Sequence, residues 1–471
     1  MFVQEQSSLT VSEIDSIDVQ RIQSDATSAN YSDVSSLAGV VSDQDNSNIV
    51  IQTIEGNLSV KNVISTTGNI LITSGSGNIA INDNILTTAG HLSILSDKSI
   101  TQSATLSTAG GSIDMFAVEN IRMNQGAQTL STNGNIFLEA SQGDITVSEI
   151  DAQDGNLAVI ATAGSIHVAE SENNHITSNG FILKAFAATD PIKTDVAIFT
   201  AMTDSDLIVE NTHATGVTID QITVAVNRVL TDGQFTENAK STNLADITVL
   251  NNGAVALNAI GSITILDGDN DNIAIDASAG TGNVLLKSNT DQITIQSKVD
   301  AGSGSISILA ESDISIGSAE KKEADIVTTG TGTIDMVSNA TINIHDGISI
   351  STDANIRIQA GDQLTIGEIN ANTAYVSLIA KNITDSGTDD MDVIASELRI
   401  FNTDSTGGAG TVDNMLDISV DTLSAHVNDG GLYIKESDGI IIDTNGDIVV
   451  NRVAIDGTLE ANSIVDTSQS N

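Results

Sequence analysis

The chain has 471 residues, of which 62 are acidic and 17 basic, giving a net charge of −45. Such a surface repels phosphate backbones and anionic lipid, which excludes nucleic acid as a partner and disfavours membranes. With 0 Cys, 0 Trp and 2% aromatics but 40% hydrophobic residues, the composition excludes a disulfide scaffold and an acidic disordered tail, and points to a narrow core of small aliphatics.

The opening residues, MFVQEQSSLTV, lack the basic and apolar regions of a signal peptide, and no apolar run reaches the roughly 18 residues a spanning helix needs. Export and anchoring elements are therefore expected outside this chain. Residues 1–55, with SLTVSEIDSIDV from Ser8, read as the tail of a preceding repeat unit. From Gly56 a five-residue phrase recurs: Gly, then Asn, Ser or Asp, then an aliphatic, any residue, and an aliphatic. Examples are GNLSV from Gly56, GNILI from Gly68, GNIAI from Gly77, GNIFL from Gly134, GDITV from Gly143 and GSISI from Gly304. The phrases keep a phase of about 21–23 residues, with two or three alternating segments per step.

Alternation with period two puts Ile, Leu and Val on one face and Ser, Thr, Asn and Asp on the other. Gly and Asn at the breaks permit left-handed φ and hence sharp turns. Three strands and three turns close one coil of a right-handed parallel β-solenoid, whose coils stack about 4.8 Å apart. About 20 coils would make a single continuous rod on the order of 100 Å long. The inward positions are expected to be the aliphatics of each phrase: Ile70, Ile79, Ile113, Ile136, Ile145, Ile166, Ile263, Ile306 and Ile334.

A longer repeat overlies the coils. GSIDMFAVENIRMNQG from Gly111 matches GTIDMVSNATINIHDG from Gly332, and the offset widens across an insertion at Gly317–Glu323. The chain thus divides into 1–55, a first unit at 56–245 and a second at 246–471, and reads as a window on a longer array. Zones 185–245 and 385–430, where the phase breaks around Pro191 and TGGAG, are expected to correspond to each other and to carry longer loops.

These phrases, over nearly the whole chain, resemble filamentous-haemagglutinin-like and related β-strand-repeat exoproteins of bacteria. The resemblance implies an extracellular or cell-surface adhesin-type protein, with host, surface or matrix glycans and proteins as partners through flanking domains. The secretion domain and outer-membrane barrel of those families are not in this sequence.

Little in the sequence suggests chemistry. The GxG pairs at Gly75/Gly77, Gly280/Gly282, Gly302/Gly304, Gly330/Gly332 and Gly408/Gly410 lack the third glycine of a dinucleotide fingerprint and read as corners. His91, His167, His175, His213, His345 and His426 are scattered, match no zinc spacing, and read as surface or turn residues. The one constellation of note is LDGDNDNI, where Asp267, Asp269 and Asp271 alternate as at the start of a calcium loop; Asn272 and Ser278 depart from that pattern. SDQDNSN, with Asp43 and Asp45, and DSGTDDMD, with Asp389, Asp390 and Asp392, are weaker cousins. The expectation is a non-catalytic stalk or spacer with no required cofactor and with calcium as a weak stabiliser. A calcium-assembled surface-layer or matrix component and a polysaccharide-processing β-helix are the alternatives.

Overall fold

The computed structural model describes residues 1–33, 35–169, 175–387 and 391–467. It is an all-β parallel β-solenoid of roughly 18 turns, about 22 residues each, without a helix among the described residues. One turn carries three short strands, for example Ile70–Ser74, Ile79–Ile81 and Ile85–Thr87. Each strand pairs in parallel with its equivalents one turn before and after. Ile70 stands between Ile49 and Leu92, Ile79 between Leu58 and Ile100, and Ile85 between Ile64 and Leu106. All nine expected inward isoleucines are fully buried. Each contributes about 1.5–3 kcal/mol of burial that a lone coil could not supply.

The corners show why Gly is followed by Asn, Ser or Asp. Gly68, Gly77, Gly90, Gly111 and Gly134 do not have positive φ, contrary to the expectation of left-handed turns. The constraint is close approach: a Cβ on Gly90 would stand 2.2 Å from the Gly68 carbonyl in the coil before it, and one on Gly111 2.0 Å from that of Gly90. Hydroxyls lock the same corner. Thr87 Oγ1 donates to the Gly68 carbonyl at 2.6 Å and accepts from the Gly90 N–H at 3.0 Å. The residue after the glycine caps the next coil, as Asn57 Oδ1 does for the Asn78 N–H and Asn69 Oδ1 for the His91 N–H.

Two compact units make up the chain: 1–179 with 223–242, and 180–222 with 243–471. Within the zones of broken phase, the second unit has long strands, Ile192–Thr203, Val393–Asn402 and Leu416–His426. The insertion at Gly317–Glu323 forms a tight turn closed by an antiparallel bridge between Ser318 and Lys321.

Each unit also carries an antiparallel β-hairpin seated on its own coils. The first is built from Ile222–Val229 and Phe235–Leu244, the second from Ile448–Val450 and Ile464–Asp466. Their footing is a row of outward side chains in register from coil to coil: Val50, Leu71, Ser93, Asp114 and Phe137 in the first unit. The equivalent row in the second unit is Ala256, Leu285, Ser307, Asp335 and Arg357. All ten are buried, although they point away from the solenoid core.

Seating follows the same chemistry twice. Val229 packs on Val50 and Leu71, and its N–H donates to Ser93 Oγ at 2.9 Å. Val453 packs on Ala256 and Leu285, and its N–H donates to Ser307 Oγ at 2.9 Å. Arg228 forks onto Asp114, with Nε–Oδ2 at 2.5 Å and Nη2–Oδ1 at 3.1 Å. Arg452 reaches Asp335 with Nε–Oδ2 at 2.8 Å. The Gly233 and Gly457 carbonyls accept from Asn69 and Asn283.

Candidate functional site

The acidic turn at 267–271 lies in the second unit, between strands Ser262–Ile265 and Ile273–Asp276. Its carboxylates first organise their own backbone. Asp267 Oδ1 accepts the Asn270 N–H at 2.7 Å, Asp269 Oδ1 the Asp271 N–H at 3.2 Å, and Asp271 Oδ1 the Ile273 N–H at 2.8 Å. Asn270 and Asn272 supply the left-handed φ that lets so short a loop curl.

A fourth carboxylate joins them. Asp246 precedes strand Ile247–Val249 and is only 5% exposed. Its Oδ1 accepts the Gly268 N–H at 3.0 Å, and its carbonyl is held by Thr200 Oγ1 at 2.6 Å. One oxygen or more from each of Asp246, Asp267, Asp269 and Asp271 lies within 4.8 Å of the others. Burial raises the Asp246 pKa to about 7, opposed by the Gly268 N–H and reinforced by the charges of Asp269, Asp271 and Asp267. A cavity of about 260 Å³ opens beside the group, with Asp246, Asp269, Asp271 and Asp276 on its wall together with Met202 and Gln221. The donor set is all oxygen, which suits a hard divalent cation such as calcium and offers thiolate- or imidazole-seeking metals nothing.

The three residues expected from the sequence are thus together, and Asp246 was missed. It lies one coil earlier, so no local spacing ties it to the turn. The stacking of strands is the signal: Ile247 pairs with Ile275 one coil on, which sets the residue before the one strand against the turn before the other.

The weaker acidic runs differ. Asp43 and Asp45 are exposed and join no group of three or more metal-type ligands among the described residues. Asp389 and Asp390 lie outside the described residues. Asp392 is buried and faces Asp385 and Asp417, and its Oδ2 accepts the Asp417 N–H at 2.6 Å. Burial, then the hydrogen bond shared with Asp385, holds its carboxyl well above the ordinary range. Lys435 neutralises Asp417 at 2.7 Å.

Two histidines do not sit as expected. His175 is buried, and His91 is half-covered because the first hairpin lies over it: the Phe235 ring meets it edge-on at 4.4 Å and Asn227 Nδ2 reaches its Nε2 at 3.0 Å. That burial lowers the His91 pKa. Among the described residues no histidine belongs to a group of three or more metal-type ligands. Comparison of the chain with protein-family models, with curated proteins and with solved structures finds no match.

Proposed function

We propose that the chain is a non-catalytic spacer, a segment of an exported bacterial adhesin-type surface protein that sets distance between flanking functional parts. The observation that carries this reading is the duplicated unit with its duplicated hairpin seat. Copying a whole unit, together with the Arg–Asp pair and Ser–aliphatic row that hold its hairpin, adds length on an unchanged plan. Partners on host, cell-surface or matrix glycans and proteins belong, in this reading, to the flanking parts. The test has two arms. Pulled end to end, a spacer should release its length in a few large cooperative steps, not coil by coil. Turnover on any of a panel of acidic and neutral polysaccharides by the intact chain overturns the spacer and favours a glycan-processing β-helix.

The four-carboxylate group at Asp246 supports calcium as a stabiliser within that role. A divalent cation relieves the mutual repulsion and binds the folded form preferentially. Millimolar calcium should raise the thermal midpoint relative to chelator at matched ionic strength, and Asp269→Asn should abolish the difference. Equal midpoints in the wild type remove calcium. Calcium-dependent assembly of the wild type into sheets or fibres favours a surface-layer or matrix component instead.

A further inference from the structure

A third hairpin has no seat among the described residues. Asp18–Ile22 and Ser28–Ser32 pair antiparallel, with Val19 opposite Tyr31 and Ile22 opposite Ser28. Its sequence, VQRIQSDAT from Val19, aligns without a gap on VNRVLTDGQ from Val226 and VNRVAIDGT from Val450. The turns share one geometry. The Ala26, Gly233 and Gly457 N–H groups donate to the Gln23, Leu230 and Ala454 carbonyls at 3.0, 2.9 and 3.0 Å. All three residues have positive φ, at 64°, 78° and 78°. In each turn the preceding aspartate, Asp25, Asp232 or Asp456, accepts the N–H two residues on. The insertion point also matches. Hairpin 17–33 follows Phe2–Glu5 and Leu9–Val11 and returns to Val40–Val41; the hairpin of Ile222–Val229 and Phe235–Leu244 follows Leu207–Asn211 and Gly216–Ile219 and returns to Ile247–Val249.

What differs is cover. Val224, Val226 and Val229 are 0%, 1% and 1% exposed, and Ile448, Val450 and Val453 are 0%, 0% and 1% exposed. Their equivalents Ile17, Val19 and Ile22 are 60%, 54% and 77% exposed. Arg21, the counterpart of Arg228 and Arg452, stacks over the Tyr31 ring at 4.5 Å, where the other two fork onto a buried aspartate.

We infer that hairpin 17–33 is a docking element whose partner is the flank of another copy of this repeat unit, presenting the same aliphatic–Ser–Asp row as Leu285, Ser307 and Asp335. Two seated copies in this chain define the fit. Ile22 takes the place of Val453 on the aliphatic, the Ile22 N–H meets the serine hydroxyl, and Arg21 meets the aspartate in a chain otherwise short of cations. Both rows in this chain are covered by their own hairpins, so two intact chains should not pair this way. The partner must bring an uncovered row.

The experiment supplies such a row in register. Residues 432–466 align with 1–35 without a gap, so residues 1–431 joined to the complete chain 1–471 replace the second seated hairpin of the first copy by hairpin 17–33 of the second. Hydrogen exchange of 17–33 should slow by about tenfold or more relative to the complete chain alone, and Ile22→Asp in the second copy should restore fast exchange. Because the chain has 0 Cys, Leu285→Cys in the first copy and Ile22→Cys in the second should oxidise to one intramolecular disulfide. The same two substitutions within a single 471-residue chain should not. Unchanged exchange without a cross-link, or protection that survives Ile22→Asp, overturns the inference.

Discussion

The two seated hairpins rest on the same chemistry but are reinforced differently. Around Arg228 and Asp114 the first unit adds a second cation: Lys240 pairs with Glu139 and lies within 6.0 Å of the Phe116 and Phe137 rings. Around Arg452 and Asp335 the second unit adds a chain of charges. Arg357 reaches Asp335 at 3.0 Å and Asp466 at 3.2 Å, and Ser377 Oγ donates to Asp466 at 2.6 Å. Common to both are the valine, the serine hydroxyl and the Arg–Asp pair. The Leu–Ser–Asp centre of the row is kept in both units while its ends, Val50 and Phe137 against Ala256 and Arg357, have been rebuilt, which marks that centre as the part that orients the hairpin. The buried aspartate is the pivot, since it is the acid onto which each seating arginine closes an ion pair.

The largest difference between the units should come from deleting that pivot. Asp335→Ala strips Arg452 of its partner and leaves Arg357, itself deeply buried, with Asp466 and the Gln359 side chain. Breaking a buried pair from one side costs about 3–5 kcal/mol. Asp114→Ala leaves only Arg228, which is partly open to water and can turn outward, so its cost should fall below that range. Denaturant unfolding of the two variants checks the order; equal losses would mean that the charge chain in the second unit adds nothing. A smaller and symmetric effect is expected at the valines. Val229→Ala and Val453→Ala each remove about two methylene equivalents from a closed aliphatic contact, or roughly 1.5 kcal/mol. Unequal losses would show that one hairpin is seated by its charges alone.

Some of this could be read from the sequence and some could not, for a physical reason. Inward positions such as Ile136 and Ile306 announce themselves because alternation within a strand and the phase between coils agree. The outward row obeys the same alternation, so Asp114 in GSIDM and Asp335 in GTIDM read as ordinary surface acids. Only the hairpin above makes them buried, and that hairpin is about 114 residues away in sequence. Its signal was present as VNRV at 226–229 and again at 450–453, with Asp-Gly turns at 232–233 and 456–457. A search for coil phrases passes over it because the hairpin contributes no coil. The acidic turn was legible at Asp267, Asp269 and Asp271, whose spacing is local, but not at Asp246, whose proximity is created by stacking.

The smallest effect separates the units by pH. Asp246 belongs to the second unit, and its folded pKa stands near 7 against an ordinary 3.8. A carboxyl raised in this way destabilises the fold when ionised. The penalty is fully present above about pH 7, is relieved as pH falls, and is gone by the pKa of the unfolded chain. The effect is modest because the cavity of about 260 Å³ beside the group is partly open to solvent, which raises the effective dielectric around its charges. Replacing Asp246 by Asn removes the titrating group and keeps an acceptor for the Gly268 N–H. The variant should gain stability over the wild type at pH 8, and the gain should shrink steadily toward pH 4. Subtracting the two thermal profiles cancels titrating groups remote from the acidic turn, such as Asp392. Burial also holds the Asp114 carboxyl above its ordinary range, against the opposing pull of Arg228, so the same subtraction for Asp114→Asn should slope in the same direction, offset by the loss of the charge that Arg228 pairs with. A difference profile for Asp246→Asn that is flat between pH 4 and 8 would mean that the carboxylate is already solvated, and would remove the reason for a cation to bind there.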